Sequence, residues 1–255
     1  MLFRSVAVDN VSFALERGRS LAIVGESGSG KTTIAKMIVG LERPSSGSIR
    51  ACGADRSVPA RSSKERRSRG RQVQIVFQDP YSSLDRRQTG NQALNEVLRL
   101  HRDYDASARA ARIAELAALV GLDSRQMSAL PKALSGGQRQ RIAIARALAA
   151  EPELIILDEA VAALDVSIQA QILNVLLDVR DATGVSYVLI SHDLAVVRQI
   201  TDDAIVMQAG RIVERGPTGD ILDHPQTAYT KLLRASVPEP GWTPTRRTTS
   251  LAEPA

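Results

Sequence analysis

The chain has 255 residues and a net charge of +5, with 33 basic residues, of which only five are lysine, against 28 acidic ones. That length can bury a sizeable core and suits one α/β domain with an inserted lobe; the single cysteine, Cys52, excludes an internal disulfide and any four-cysteine zinc or iron–sulfur site. Apolar stretches such as Ala143–Ala145 and Leu154–Leu157 fall far short of the ~18 residues that span a bilayer, and no basic-then-apolar leader opens the chain, so the expectation is a protein that is soluble or held to a membrane by a partner.

Taken in chain order, Val11-Ser12-Phe13-Ala14-Leu15 alternates with a period of two, Gly18 supplies a turn, and Leu21–Val24 is an apolar strand running into a glycine loop. Residues 31–39 read as a helix, with Ile34, Ile38 and Leu41 at helical spacing and Gly40 and Pro44 ending it. Residues 54–71 are polar and basic; without interleaved aromatics they read as a solvated helix or loop rather than a nucleic-acid patch. Val73–Phe77 is the next strand. From Asn91 to Gly121 helical composition dominates, Leu130-Pro131 interrupts it, and an alanine-rich helix follows from Gly136 to Ala149; together these form an inserted helical lobe, about residues 80–148. Leu154–Leu157 and Val185–Ile190 read as buried parallel strands around a helix over 167–182. Ile205–Met207 and Arg211–Val213 flank Ala209-Gly210 as a hairpin, and the Pro, Thr and Arg content beyond Ala235 predicts a disordered tail over 236–255.

Two stretches carry chemistry. Gly25-Glu26-Ser27-Gly28-Ser29-Gly30-Lys31-Thr32, continuing to Thr33, lies between a strand and a helix, where backbone N–H groups and a helix N-terminus make an anion site. Glycines leave room for a phosphate, Lys31 would reach the β- and γ-phosphates of a nucleotide, and the Thr32 hydroxyl would ligate Mg²⁺. Leu154–Leu157 then delivers Asp158 and Glu159 to a strand's C-terminal end, where ligands bind in open α/β sheets. Asp158 would hold the Mg²⁺ shell through water, and Glu159 would polarise an attacking water as general base.

With the glycine loop, Gln78, Leu134–Arg141 (Leu-Ser-Gly-Gly-Gln-Arg-Gln-Arg), Asp158-Glu159 and His192 following one another in this order, the chain resembles the ATP-binding subunits of ABC transporters over about residues 6–235. The resemblance implies an α/β P-loop NTPase (RecA-like) core with an antiparallel β subdomain and an inserted helical subdomain, and ATP and Mg²⁺ as ligands. It implies that Ser135, Gly136, Gly137 and Gln138 pack against ATP held by an opposite subunit, that Gln78 contacts Mg²⁺ and water, that His192 hydrogen-bonds the γ-phosphate, and that Asp165 couples the two sites. The physics is compatible: Ser135 can cap the helix starting at Gly136, whose N-terminus favours an anion.

A finer likeness, in Val76–Asp85 and in Glu214-Arg215-Gly216 through His224-Pro225-Gln226-Thr227-Ala228-Tyr229-Thr230, is to the ATPases of dipeptide, oligopeptide and nickel importers. The expected partners are a second ATPase subunit, identical or paralogous, membrane permeases and, indirectly, an extracytoplasmic solute-binding protein, with no nucleic acid; the expected place is the cytoplasmic face of the membrane. Competing expectations are a soluble ABC ATPase unconnected to transport and a degenerate regulatory subunit. The chain departs from the family's common Glu-Pro-Thr-Ser-Ala-Leu-Asp in reading Glu159-Ala160-Val161-Ala162-Ala163-Leu164-Asp165, which removes a rigid proline and two hydroxyls, and it has Ala133 where relatives often carry an acidic or amide side chain. The resemblance also implies an aromatic that stacks on adenine: either Phe3 serves, or a first strand that relatives carry is missing from this chain. His101 and His224 are read as surface residues.

Overall fold

The computed structural model describes residues 6–79 and 84–235; the predicted tail, Phe3 and the stretch Pro80–Ser83 lie outside them. Its centre is a six-stranded sheet. Strand β1 (Ser20–Val24) is followed by helix α1 (Lys31–Val39), the short strands β2 (Arg50–Ala51) and β3 (Ala54–Asp55), helix α2 (Ser63–Gln72) and strand β4 (Val73–Phe77). Helices α3 (Gly90–His101), α4 (Ala106–Leu119), α5 (Ser124–Ser128) and α6 (Gly136–Ala149) come next, then β5 (Leu154–Asp158), α7 (Val166–Thr183), β6 (Ser186–Ser191) and α8 (Leu194–Ile200). The described chain ends with β7 (Asp203–Gln208), β8 (Arg211–Pro217), α9 (Thr218–Asp223) and α10 (Ala228–Ala235).

The sheet order is β4-β5-β6-β1-β7-β8, parallel throughout except for the β7–β8 pair, and β2 and β3 form a separate antiparallel ribbon. Period-two alternation splits each central strand between two cores. Ala22, Val24, Ile155 and Leu157 face the layer of α6, α7 and α8, whereas Leu21, Ile23, Leu154 and Ile156 face Ile34, Met37 and Ile38 of α1. Both faces being covered, the strands read as continuous apolar runs.

Caps set the helix boundaries. Thr89, Asp123 and Ser135 each accept the N–H of the residue three along, a glutamine whose side chain in turn accepts the cap's own N–H. Gly40, with φ of +84°, closes α1, and the chain turns there, so Leu41 points to solvent rather than continuing the apolar stripe that its spacing predicts. The helices between β4 and β5 share an apolar core of Leu94, Leu98, Leu116, Met127 and Ile142, each almost wholly buried and worth about 1.5–3 kcal/mol of transfer free energy apiece.

One predicted strand has a different form. Val11, Phe13 and Leu15 are half-buried and pack on the α1 core while Ser12 and Ala14 are exposed, so the alternation is real, yet the segment joins no ladder among the described residues. Alternation fixes which side chains face the core; a ladder also needs a neighbouring backbone.

Candidate functional site

The parallel register brings four loop starts into one row. Phe77 pairs with Asp158, Asp158 with Ile190, and Ser191 with Val24, so Gln78, Glu159, His192 and Gly25 each follow the C-terminal end of adjacent strands, in sheet order β4, β5, β6, β1.

The glycine loop starts at Gly25 because nothing larger fits. A Cβ there would lie 2.2 Å from the carbonyl oxygen of Met207, on the buried strand β7, and one on Gly30 (φ +101°) would lie 2.4 Å from the carbonyl oxygen of Ala7. Lys31 opens α1 and folds back into the loop, where its side chain is almost completely buried. The ammonium donates to the carbonyls of Gly25 and Glu26, both at 2.8 Å, and lies 3.4 Å from Ser29 Oγ. Burial lowers the Lys31 pKa from its ordinary value, opposed by the charges of Glu159 and Asp158.

Beside it the exposed Thr32 hydroxyl donates to Asp158 Oδ1 at 3.3 Å. Asp158 is buried, and that burial raises its carboxyl above the usual range, with Glu159 adding to the rise and the Thr32 bond and Lys31 pulling the other way. Glu159 comes next with φ of +50°, in the left-handed region that a side chain seldom adopts; its N–H donates to the Ile190 carbonyl at 2.9 Å, and Oε1 lies 3.4 Å from His192 Nδ1. Such backbone strain, worth ~1–3 kcal/mol, clusters at functional sites. The turn carrying His192 is fixed by Asp193, whose carboxylate accepts the N–H groups of Ala195 and Val196 at the start of α8.

The family model described as "ABC transporter" matches residues 8–162, a stretch that takes in the glycine loop, Gln78, Ser135 and both carboxylates. The chain belongs to the ABC transporter family. Among ABC transporter relatives, the "Oligopeptide transport ATP-binding protein OppD" of Mycobacterium tuberculosis is 46% identical over 241 residues, 94% of this chain and 39% of that protein. The chain thus spans about two fifths of the length of the mycobacterial relative. The "Dipeptide transport ATP-binding protein DppF" of Haemophilus influenzae is 43% identical over 232 residues, 91% of this chain and 70% of its own length. Among solved structures, the ATP-binding cassette MJ0796, dimeric in a post-hydrolysis state with ADP and Pi, superposes with a TM-score of 0.73 at 28% identity, covering 83% of this chain and 90% of its own. CbiO1 of Clostridium perfringens, part of the ABC transporter complex cbiONQ, gives 0.77 at 27% identity over 86% of this chain and 84% of its own. The fold is the P-loop NTPase fold, with its antiparallel part present as the β2–β3 ribbon and the β7–β8 pair.

Not every candidate residue meets at the row. Ser135 caps α6, accepting the Gln138 N–H at 3.2 Å while Gln138 Oε1 accepts the Ser135 N–H at 2.9 Å, and its carbonyl accepts the Arg139 N–H at 3.0 Å. Asp165 is the exposed residue before α7, and its side chain makes no capping bond to the helix. Gly136 and Gly137 lie under Leu164 and Ile168, which flank Asp165 in the chain, so the start of α6 packs against the start of α7. A cavity of about 1390 Å³ flanks α1, lined by Val8, Val11, Phe13, Met37 and Ile49; it reaches Leu154 and Ser186 at the starts of β5 and β6, and neither Asp158 nor Glu159 lines it. His224 is exposed, as expected, whereas His101 is half-buried, its pKa lowered by burial and by Arg71, Arg102 and Arg67. Sequence reasoning gave Tyr229 no role beyond its place in the importer likeness, yet its hydroxyl accepts the Glu26 N–H at 3.0 Å across 203 positions of chain.

Proposed function

We propose that this chain binds and hydrolyses ATP as one of two ATPase subunits of an importer, and that its work drives peptides or similar small solutes through a membrane permease. The observation that carries the reading is the row of Lys31, Thr32, Asp158, Glu159 and His192 at adjoining strand ends. Lys31 satisfies its ammonium with the loop's own carbonyls, bonds it can exchange for phosphate oxygens. The loop N–H groups and the α1 N-terminus would hold the β-phosphate.

Thr32 and Asp158 meet through a hydroxyl and a carboxylate, and Gln78 adds an amide; hard oxygen donors of this kind, few in number, fit Mg²⁺. When bound, Mg²⁺ neutralises charge on the phosphate oxygens. Glu159, with His192 beside one carboxylate oxygen and no hydrogen-bond partner on the other among the described residues, would accept a proton from the attacking water, while His192 would steady the γ-phosphate.

Gln78, after β4, links this site to the lobe of α3–α6, residues 80–148 of a domain spanning 1–235. The α6 N-terminus with Ser135, Gly136, Gly137 and Gln138 would meet ATP on the second subunit, and Asp165, just before α7, would pass occupancy between the two sites. Support comes from relatives whose names describe peptide transport and from the dimeric cassette MJ0796. Among the described residues no helix is long and apolar enough to cross a membrane, which accords with attachment through the permease at the cytoplasmic face; a solute-binding protein would act on the far side.

Sedimentation of the full chain as the Glu159→Gln variant tests this. With Mg-ATP it is expected to form a stable dimer, with itself or with a paralogous ATPase, that dissolves with ADP; a sedimentation coefficient indifferent to ATP in both mixtures would overturn the reading.

A further inference from the structure

The peptide unit joining Gly25 to Glu26 is gripped from two sides. Its carbonyl oxygen, on Gly25, accepts from the Lys31 ammonium at 2.8 Å, and its N–H, on Glu26, donates to the Tyr229 hydroxyl at 3.0 Å. A planar trans peptide points its carbonyl and N–H in opposite directions. With the carbonyl turned inward to Lys31, the N–H must face outward, and there Tyr229 meets it.

Tyr229 is held in place by an anchor at the same level of the sheet. Val24, the last residue before the loop, pairs with Val206 on β7, and Val206 pairs with Glu214 on β8. The Glu214 carboxylate accepts the N–H groups of Gln226 at 2.8 Å and Thr227 at 3.1 Å, and the Thr227 hydroxyl at 2.9 Å. Thr227 Oγ1 accepts the Thr230 N–H at 3.2 Å, starting α10 and setting the direction from which Tyr229 reaches the loop. Three paired strands and one capped helix thus fix the distance from hydroxyl to peptide.

We propose that Tyr229 is a positioning residue of the nucleotide site, a brace that holds the Gly25–Glu26 peptide when Lys31 leaves its carbonyl for a bound phosphate. This rests on the reading of the loop as an ATP site. Once the ammonium moves away, the inner partner is gone, and glycine at position 25 makes rotation of that peptide sterically easy. The Tyr229 bond resists that rotation and keeps the loop in its anion-binding shape.

The test is titration of the full chain with Mg²⁺ and a fluorescent ATP analogue, together with thermal unfolding without nucleotide. Tyr229→Phe keeps the ring and removes only the hydroxyl; loss of one net hydrogen bond is expected to raise Kd about 3- to 10-fold, with Tm within about 2 °C of the native chain. Glu214→Gln, which leaves Tyr229 intact and loosens its anchor, is expected to raise Kd in the same direction, and the double variant to be no weaker than Tyr229→Phe, since both act along one path. A Kd within twofold of native for Tyr229→Phe overturns the brace, as does multiplication of the two effects. Lys31→Ala separates the layers: if it binds the analogue as well as the native chain, the ATP reading fails, and if it loses binding while Tyr229→Phe keeps it, the brace alone fails.

Discussion

Gly137→Ala sets two effects of known size against each other. Gly137 is the second residue of α6, buried against α7, and a Cβ built on it would lie 2.6 Å from Cγ2 of Ile168. That is about 1 Å inside carbon–carbon contact, and overpacking of this kind costs ~1–3 kcal/mol. Alanine gains at most ~1 kcal/mol over glycine from helix propensity, and less in a first turn. The overlap therefore wins by ~1 kcal/mol. Gly136→Ala is the control, because its Cβ would meet only the flexible Leu164 Cδ2 at 3.3 Å, so propensity should prevail and stability hold or rise. In a chain of this size 1 kcal/mol moves Tm by about 2–4 °C, readable by circular dichroism. Adding Ile168→Ala to Gly137→Ala removes the opposing methyl and is expected to recover ~1 kcal/mol as a coupling term in the double-mutant cycle. If Gly137→Ala proves as stable as the native chain, or the cycle has no coupling, the account of this helix contact is wrong.

Gly25→Ala should be far more damaging than Gly28→Ala. The first drives a Cβ to 2.2 Å from a buried backbone carbonyl, whereas the second meets nothing within 4 Å and carries only the strain of a positive φ, about 1 kcal/mol; soluble yield and Tm measured side by side check the order. For Asp158, burial and Glu159 raise the carboxyl pKa, so folding disfavours the ionised form and the penalty acts above the folded-state pKa, fading as pH falls through it. Asp158→Asn, which can still accept from Thr32, is therefore expected to raise Tm at pH 7, to lose that gain in acid, and to abolish ATPase activity; a lower Tm at pH 7 would contradict the sign. Ser135→Ala should lose about 1 kcal/mol of cap, whereas Ser135→Asp should keep the cap and Tm but oppose ATP-driven dimerisation by presenting a carboxylate to the phosphate; equal dimerisation by Ser135→Asp and the native chain would refute that role.

The strands and helices that place the row are legible because each combines a strong period with punctuation. Val73–Phe77 and the helix from Gly136 to Ala149 have the bounds expected of them, since a charged run or a serine cap sits directly beside the apolar stretch. Val11–Leu15 was legible only in its burial, because pairing depends on a neighbour that periodicity does not name. The β2–β3 ribbon, two residues on each side of Cys52-Gly53, is too short to have a period at all. In the site, the residue types at Lys31, Thr32, Asp158, Glu159 and His192 could be read from the loop and strand pattern, but the positive φ of Glu159 could not, because nothing in its side chain asks for it. The Tyr229–Glu26 bond was hidden by distance along the chain. A local signal did exist at Thr227, which with Gln226 is tied to Glu214, but its meaning depends on β8 lying level with the start of the glycine loop.

The most direct test of a two-subunit ATPase is turnover of Mg-ATP by the full chain, alone and mixed with a paralogous ATPase subunit, followed against protein concentration beside Lys31→Ala and Glu159→Gln. The account predicts a specific activity that rises with concentration in the mixture that dimerises, loss of binding in Lys31→Ala, and binding without turnover in Glu159→Gln. Undiminished hydrolysis by Glu159→Gln, or a specific activity independent of concentration down to the monomer, would contradict it.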